Sequence, residues 1–427
     1  MPRVMSFAGI FVLLGICWLL SVDRKNINWR PILWGLGMQI ILAAIVLTPA
    51  VQRIFFTSID SGVKRLLSFS EAGSNFVFQS IEPHRVLGPD GQPTDVIAGR
   101  ISPPLKTFAF WVLPTIIFFS SLMSVLYHLG IMQRLVYGLA WVMQRTARIS
   151  GAESLSTAAN IFLGQTEAPL TVKPYIAKMT NSELFLVMVG GFATVAGGVM
   201  AAYVSFLQGI PGIAGHLVTA SIIGAPASIV VAKMIMPETE VPETQGKLDV
   251  DTKSVHGNVL EAAADGASEG MKLFLNVIAM LLAFVALVAM ADYFLSLIPL
   301  GGQPLSMARV LGWVFAPVAF AMGIPWSEAQ VVGRFLGEKL VLTEFVAYIH
   351  LGQAVQAETA VLSDRSAIIA SYALCGFANF ASIGIQLGGI GAMAKERMPD
   401  LSKMAVRSMI AGALANCLMG NVVGLFI

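Results

Sequence analysis

Stretches of about 20 consecutive apolar residues recur along the chain, and they limit its possible folds more strongly than any other feature. A helix of about that length crosses the roughly 30 Å of hydrocarbon in a lipid bilayer. Overall, 56% of the side chains are hydrophobic and only 12% are charged, too little polar surface to cover water-soluble domains of this size. The sequence therefore predicts an integral membrane protein of the all-α class.

The apolar stretches predict eight membrane-spanning helices. They fall at residues 5–22, 31–50, 107–130, 183–209, 213–236, 271–298, 365–394 and 404–427. Residues 306–324 form a further apolar helix, which we expect to be broken at the sequence Gly-Ile-Pro-Trp. The first stretch is followed by no small-residue cleavage site, so we interpret it as a span and not as a secretion signal.

The segments between the spans differ in character. Residues 51–106 combine an amphipathic stretch with a turn-rich one, which predicts a surface helix and then a loop outside the cell. Residues 133–148 have a basic face and an apolar face and predict a helix lying along the membrane surface. Residues 236–258 are rich in Glu, Asp, Pro and Thr and predict a soluble linker.

Lysine and arginine in the short loops predict the orientation of the chain. They cluster after the first span, after the third span and near the end of the sequence. Short loops rich in these residues stay in the cytoplasm, so counting spans places both termini on the outer side of the cytoplasmic membrane.

Composition and spacing also exclude several function classes. A net charge of +2 spread over many loops provides no basic face for nucleic acid. The three cysteines and five histidines show neither a disulfide framework nor the spacing of a metal site. Residues 266–270 match the Gly-x-Ser-x-Gly pattern of hydrolases, but their surroundings are helical and no strand precedes them. We therefore expect no enzyme and no organic cofactor.

Two polar interruptions of the apolar sequence are alike. Residues 164–179 and 337–352 are too polar to span lipid alone, and each precedes a long helix with a break in its middle. The breaks, at residues 190–198 and 375–384, share the sequence Gly-Phe-Ala-x-x-Ala. We interpret the two units as an internal repeat, with a chance match of common residues as the rival explanation.

Each polar interruption contains a glutamate, Glu167 in the first and Glu344 in the second. A carboxylate inside lipid costs at least about 2.5 kcal/mol unless it is paired or hydrated, so such residues mark functional sites more often than helix caps. Non-helical backbone at that depth needs protein or water around it, which predicts re-entrant hairpins lining a cavity. Paired breaks of this kind favour a secondary transporter over a passive channel or a membrane-embedded enzyme.

Six stretches, in this order, carry a resemblance to a known family: AANIFLGQTEAPL, MTNSELFLVMVGGFATVAGGVMAAY, MPETE, LGWVFAPVAFAMGIPW, TEFVAY and SYALCGFANFASIGIQLGGIGAMA. The chain resembles the concentrative nucleoside transporters, in their bacterial branch, over nearly its whole length. The resemblance implies a homotrimer whose subunits have eight spanning helices, two re-entrant hairpins and inverted repeats with broken helices.

The resemblance also implies a division into a scaffold and a moving transport domain. Residues 1–130 are then scaffold helices, and residues 131–237 are the first repeat of the transport domain. Residues 238–305 hold the linker and a further scaffold helix, and residues 306–427 are the second repeat. The implied activity is sodium-coupled uptake of uridine-like nucleosides by alternating access, with proton coupling as the alternative.

The substrate residues implied by the resemblance fall on both repeats. Gln165, Thr166 and Glu167 of the first hairpin correspond to positions that face the nucleobase, and Val199 of the first broken helix packs against it. An amide and a hydroxyl both donate and accept hydrogen bonds, which suits a base edge that does the same.

On the second repeat, the resemblance implies that Glu344, Asn379 and Ser382 face the ribose. A buried carboxylate can accept hydrogen bonds from two neighbouring ribose hydroxyls, and such charge-assisted bonds are stronger than neutral ones.

A sodium site is implied between the first hairpin and the first broken helix. Asn160 and Thr194 offer side-chain oxygens, and Leu163 and Val195 offer main-chain carbonyls, the hard ligands that a small cation prefers. Serine is more usual than threonine at the position of Thr194, but both residues carry a hydroxyl. Proton-coupled members tend to lose such polar positions, so we expect sodium coupling.

Overall fold

Helices make up nearly all of the structure, a computed structural model that describes residues 2–87, 91–102, 105–246, 256–300, 303–357 and 361–427. The predicted linker at residues 236–258 therefore lies partly outside the described residues. Two short antiparallel β-hairpins interrupt the otherwise helical chain, pairing β1 with β2 and β3 with β4 at the bounds given below.

The first predicted spans and surface helices form as the sequence indicates. The elements are α1 (Pro2–Leu20), α2 (Trp29–Leu47), α3 (Pro49–Phe78), β1 (His84–Leu87), β2 (Pro93–Val96), a π-helical turn (Phe108–Val112), α4 (Pro114–His128) and α5 (Ile131–Ala147). The predicted outer loop is thus partly a β-hairpin, in which His84 pairs with Val96.

The first repeat unit consists of short helices separated by breaks. The elements are α6 (Gly151–Ala159), α7 (Glu167–Leu170), α8 (Lys173–Ile176), α9 (Asn181–Ala193), α10 (Gly197–Phe206) and α11 (Ile213–Ile235). Helices α6 and α9 both begin with capping boxes, Ser150 with Glu153 and Thr180 with Glu183. The Ser150 hydroxyl also donates a hydrogen bond to the Glu183 carboxylate at 2.5 Å, which ties the two helix starts together.

Helix α12 (Val259–Ser296) is longer than the sequence predicts, since it begins 12 residues before residue 271. Its 38 residues correspond to about 57 Å. It packs along α4, where Gly266 and Gly270 allow a close approach to the α4 backbone. The β3 (Pro299–Leu300) and β4 (Gln303–Pro304) strands follow it.

The second repeat unit follows with α13 (Met307–Ala321), α14 (Trp326–Val341), α15 (Glu344–Gln356), α16 (Asp364–Leu374), α17 (Phe380–Met393) and α18 (Met398–Gly424). Helices α13 and α14 are bent by 116° at the predicted Gly-Ile-Pro-Trp break. Helices α14 and α15 pack against each other on either side of a two-residue break and form a hairpin.

Both predicted interruptions of long helices are present. The first separates α9 from α10 at residues 194–196, and the second separates α16 from α17 at residues 375–379. Seven helical stretches among the described residues are long and apolar enough to cross a membrane. The predicted span at residues 365–394 consists of α16 and α17, with 11 and 14 residues, each shorter than a bilayer crossing.

The core of the protein lies around α11, which contacts α2, α9 and α18. The apolar windows of α9–α10 and α11 are each 89% buried within the chain, whereas that of α12 is 0% buried. The broken helices are therefore enclosed by protein, while α12 packs along α4 with one side and leaves much of its apolar surface uncovered within the subunit. Enclosure matters here, because the unpaired backbone groups of a helix break are tolerated in a membrane only inside protein or beside a cavity.

Candidate functional site

Glu344, the first residue of α15, lies at the tip of the second hairpin with 2% of its surface exposed. One carboxylate oxygen accepts a hydrogen bond from the Tyr203 hydroxyl of α10 at 2.8 Å. The other accepts one from the Asn379 side-chain amide at 2.8 Å. The tip of hairpin 2 is thereby joined to both broken helices, and the positive end of the α15 dipole favours the negative charge of Glu344.

Asn379 has a second role, because it caps the helix that follows it. Its side-chain oxygen accepts a hydrogen bond from the Ser382 main-chain N–H at 2.8 Å, which satisfies a free amide at the start of α17. The same asparagine thus fixes the N-terminus of α17 and orients the carboxylate of Glu344. The structure brings together all three predicted ribose-facing residues.

Gln165 connects the first hairpin to the same network. Its side-chain N–H donates to the Ser382 hydroxyl at 3.2 Å, and its oxygen accepts from the Gln386 side-chain amide at 3.2 Å. Gln386 is fully buried and also donates to the Met188 carbonyl of α9 at 3.1 Å. A continuous chain of polar contacts therefore runs from hairpin 1 through α17 to the tip of hairpin 2.

Two members of this network, Tyr203 and Gln386, are not among the residues predicted from the sequence. Gln386 lies one helical turn after Ser382 in an apolar, glycine-rich helix, so its position on the face of Ser382 is a signal that could have identified it. Tyr203 lies in the apolar α10 among residues typical of a buried core, and no sequence signal distinguishes it there.

The remaining predicted base-facing residues differ in their surroundings. Glu167 is the first residue of α7 and is exposed, and among the described residues no hydrogen bond joins it to Glu344 or Gln165. The titratable groups that interact with it electrostatically are Tyr127 of α4 and Glu269 of α12. Thr166 lies beside it, and Val199 is 1% exposed in the first turn of α10. Among the described residues, Glu167 thus takes no part in the hydrogen-bonded network that contains Glu344 and Gln165.

The four residues of the predicted sodium site lie around the first break. Asn160 is fully buried, and its amide N–H donates to the Ser156 carbonyl at 3.1 Å, but its side-chain oxygen has no hydrogen-bond partner. Thr194 donates its hydroxyl to the Gly190 carbonyl at 2.9 Å, which leaves the lone pairs of the hydroxyl oxygen available. Buried polar atoms without a partner are rare, and a ligand is one explanation for them.

Close packing holds Asn160 at this place. A Cβ atom at Gly190 would lie 2.9 Å from the Asn160 amide nitrogen, so only glycine lets the asparagine approach α9 this closely. Leu163 lies in the segment between α6 and α7, and Val195 lies in the break between α9 and α10. The two segments are in contact, because the Gly197 N–H donates to the Phe162 carbonyl at 3.1 Å. The segment after α6 therefore meets the break between α9 and α10, and side-chain oxygen atoms of the kind that suit a sodium ion lie on both, at Asn160 and Thr194.

A cavity of about 280 Å³ lies elsewhere, between the starts of α2 and α6 and the end of α11. It is lined in part by Arg148, Glu153, Lys233 and Glu238, and none of the network residues lines it. The Lys233 ammonium is almost fully buried, forms an ion pair with Glu153 and lies 3.5 Å from Glu238. Lys233, Glu153 and Glu238 thus balance one another's charge within the protein.

Three family models match the chain in succession. The model described as "Na+ dependent nucleoside transporter N-terminus" matches residues 8–81, and the model "Gate", described as nucleoside recognition, matches residues 109–209. The model described as "Na+ dependent nucleoside transporter C-terminus" matches residues 216–424. Together they cover the helices that carry both breaks and both hairpins.

Individual proteins are similar over the full length of the chain. An uncharacterized transporter of Haemophilus influenzae is 41% identical over 432 residues, with 100% of this chain and 98% of the relative covered. Sodium/nucleoside cotransporter 1 of Rattus norvegicus is 40% identical over 439 residues, with 99% of this chain covered. The chain spans 64% of the length of that relative.

Solved structures are similar to the same extent. The structure of CNTnw in an inward-facing substrate-bound state has a TM-score of 0.88 at 38% identity and covers 100% of this chain and 98% of its own. A CNTnw variant in an outward-facing state has the same TM-score and the same coverage. The overall likeness therefore establishes the fold and does not assign this structure to one of the two states.

Proposed function

Because the chain belongs to the Na+ dependent nucleoside transporter family, we propose that it imports uridine-like nucleosides together with sodium ions, as an alternating-access symporter. The observation that carries this proposal is the carboxylate of Glu344, buried at the tip of hairpin 2 and held by Tyr203 and Asn379. A transporter needs such a group to be fixed in place before the substrate arrives, so that binding orders few side chains.

The chemistry of Glu344 fits a ribose. An ionised carboxylate has about four lone-pair positions, and the two hydrogen bonds from Tyr203 and Asn379 occupy one on each oxygen. The remaining positions can accept hydrogen bonds from the two neighbouring hydroxyls of the sugar. Ser382 lies on the same network, so its hydroxyl is available to a third polar group of the ribose.

The first hairpin is assigned to the nucleobase. Gln165 offers a donor and an acceptor, which matches the alternating donors and acceptors of a base edge, and Thr166 and Glu167 extend this polar edge along the chain. The fully buried side-chain oxygen of Gln386 has no hydrogen-bond partner, so a substrate N–H can donate to it while the amide N–H of Gln386 keeps its hydrogen bond to Gln165. Val199 supplies an apolar surface for the base plane.

Sodium binding is assigned to Asn160, Leu163, Thr194 and Val195. A sodium ion between the segment after α6 and the break between α9 and α10 would take the unpaired oxygen of Asn160 as a ligand. It would thereby hold hairpin 1 against that break. Gln165 follows Leu163 by two residues, so the ion fixes the segment that presents Gln165 to the base. This shared segment gives a physical reason for coupling between the two ligands.

The same proposal includes the assembly and the orientation of the protein. We assign residues 1–130 and 238–305 to a scaffold and residues 131–237 and 306–427 to a moving transport domain. The apolar face of α12, which is unburied within the subunit, supports a scaffold role against lipid or against the other subunits of a homotrimer. We assign both termini to the outer, non-cytoplasmic side of the inner membrane.

Proton-coupled symport is the second candidate. Asn160 favours sodium, because its unpaired oxygen is a ligand for a metal cation and has no proton to exchange at neutral pH. A passive channel would need a polar lining along its whole path, whereas here the polar groups are concentrated at two helix breaks.

Uptake of labelled uridine into proteoliposomes tests the proposal. We expect accumulation above the external concentration with an inward sodium gradient, and none with a proton gradient or with no gradient. Uptake driven by protons alone would assign the second candidate, and equal uptake without any gradient would assign a channel. Competition by cytidine, adenosine and free uracil then defines the substrate range, and loss of binding with the free base is expected.

A further inference from the structure

A buried cation lies next to the candidate site. Lys339 is in the last turn of α14 and is 2% exposed. Its ammonium group donates one hydrogen bond to the Ala373 carbonyl of α16 at 3.1 Å and another to the side-chain oxygen of Asn416 on α18. We call these two side chains the lysine–asparagine pair.

Asn416 extends the pair to the first repeat. The fully buried amide group of Asn416 donates to the Ala193 carbonyl at 2.7 Å and to the Cys375 carbonyl at 2.9 Å. Ala193 is the last residue of α9, and Cys375 directly follows the last residue of α16. The lysine–asparagine pair therefore satisfies carbonyl groups at the C-terminal ends of the first halves of both broken helices.

The electrostatics of this position explain how a charge can be buried there. The C-terminal end of a helix carries a partial negative charge, and the ends of α9 and α16 meet at the pair, as does the last turn of α14. Among the described residues no carboxylate lies within ion-pair distance of Lys339, whereas the other buried lysine, Lys233, pairs with Glu153. Helix ends thus take the place of a counter-ion for Lys339.

A buried ammonium without a carboxylate partner is costly, so residues of this kind tend to have a functional role. Half-helix C-termini are also the places where secondary transporters coordinate their coupling cations. The position of Lys339 is therefore one at which a free monovalent cation would bind if the lysine were absent.

The first repeat has a different group at the corresponding place. Asn160 is on the first arm of hairpin 1 and contacts α9 at Gly190, near the end of that half-helix. Lys339 is on the first arm of hairpin 2 and contacts α16 at Ala373, near the end of that half-helix. Asn160 offers an unpaired oxygen, which needs a cation, while Lys339 brings a cation of its own.

We propose that the Lys339 ammonium is the built-in cation of the second repeat, in the position that a second coupling ion would otherwise occupy. This inference rests on the proposed sodium site of the first repeat. Lys339 lies five residues before Glu344, across the tip of the same hairpin, and the two groups interact electrostatically. It acts as a positioning residue, which fixes the hairpin and the negative charge of Glu344 without contacting the substrate.

One consequence concerns stoichiometry. Because the second repeat needs no free ion, each uridine enters with a single sodium ion. Replacing Lys339 by a neutral side chain that carries oxygen, as in Lys339→Gln, removes the tethered cation and leaves carbonyl groups to which a sodium ion can bind. We expect uridine binding by this variant to depend on the second power of the sodium concentration, and its sodium-to-uridine ratio to rise from one to two.

Two further variants separate charge from shape. Lys339→Met keeps the length of the side chain but offers no oxygen ligand, and we expect roughly tenfold weaker uridine binding at every sodium concentration. Lys339→Arg keeps the charge, and we expect it to retain the first-power dependence on sodium even if uridine affinity falls. Lys403→Met, which removes an exposed lysine from α18, is the matched control. It should leave the uridine affinity, the power of the sodium dependence and the sodium-to-uridine ratio unchanged.

The experiment measures uridine binding against sodium concentration in purified protein, and charge moved per uridine in proteoliposomes. A Lys339→Met variant with wild-type affinity, or a Lys339→Gln variant that binds uridine with an unchanged first-power dependence, would overturn the proposal. If these variants do not fold, the wild-type ratio still decides, because two sodium ions per uridine leave no role for a built-in cation. Absence of sodium-driven uptake in the wild type would instead refute the proposed function itself.

Discussion

The tips of the two hairpins carry the same acid in opposite settings. Glu344 is buried between regular helices and is held by Tyr203 and Asn379, whereas Glu167 is exposed and follows an irregular segment between α6 and α7. Protein groups therefore orient the second carboxylate, whereas no hydrogen bond of this network holds the first. The unpaired oxygen of Asn160 lies on the side of the first hairpin.

The difference indicates a division of labour between the repeats. Hairpin 2 is held by contacts within the protein, and it carries a buried cation of its own, Lys339. Hairpin 1 would gain contacts from sodium and from the nucleobase, so its order is linked to occupancy. Binding that orders one hairpin and leaves the other unchanged couples the two ligands through the ordered segment.

The largest effect is expected for Glu344→Gln. The substitution removes the charge that we propose binds the ribose hydroxyls and leaves an amide N–H facing the donors Tyr203 and Asn379, so uridine binding should fall at least roughly 100-fold. Calorimetry of the purified protein with uridine measures this loss. The variant should also melt at a lower temperature than the wild type, because the hydrogen bonds of Glu344 to Tyr203 and Asn379 stabilise the fold itself. Wild-type uptake would remove Glu344 from the site.

Asn160→Ala tests the ligand-dependent side of the comparison. Loss of one oxygen ligand should raise the sodium concentration for half-maximal uptake roughly 30-fold, while uridine affinity at saturating sodium stays close to wild type. Ser228→Ala is a matched control, since it removes a buried hydroxyl that bonds within α11, away from the breaks. An unchanged sodium dependence would mean that the ion binds elsewhere.

Glu167→Gln should have a smaller effect than the equivalent change at Glu344. We expect uridine binding to weaken about tenfold, because the hydrogen-bonded network that orients Glu344 does not include Glu167. The melting temperature of the ligand-free protein should stay unchanged, since no protein donor holds Glu167 in the network. A drop in melting temperature as large as that of Glu344→Gln would contradict the contrast between the two tips.

Tyr203→Phe should produce the smallest change. It removes one neutral donor to Glu344 and should weaken uridine binding about fivefold without affecting the sodium dependence. Tyr348→Phe is the control, because that ring stacks on Tyr203 but its hydroxyl donates to the Ser371 carbonyl. Equal losses in both variants would assign the effect to ring packing and not to the hydrogen bond.

Much of the fold follows from sequence patterns that act locally. Apolar stretches of spanning length, the Gly-Ile-Pro-Trp break and the repeated Gly-Phe-Ala sequence predict the helices and their interruptions correctly, because each of these features depends on residues close together in the sequence. The start of α12 is predicted 12 residues too late, since residues 259–270 are polar and extend the helix beyond the apolar window. Polar residues do not end a helix that continues outside lipid.

The candidate site is only partly accessible to such patterns. The pairing of Tyr203 with Glu344 joins residues 141 positions apart, and that of Gln386 with Gln165 joins residues 221 positions apart. Pairs so far apart along the chain produce no periodic pattern in a single sequence. The exposure of Glu167 is also unpredictable from sequence, because it depends on how distant segments pack around the first hairpin. The residues named by the family resemblance therefore remain predictions for uptake experiments to test.

The length of helix α12 makes its placement in the membrane depend on the thickness of the lipid bilayer. At about 57 Å it is nearly twice as long as the roughly 30 Å hydrocarbon layer, and its apolar window is uncovered within the subunit. A thicker or thinner bilayer must then be matched by a different inclination of the helix or by a change in how much of its polar start meets water. Because α12 packs along α4, a change in the inclination of α12 with acyl-chain length is transmitted to α4 through this contact.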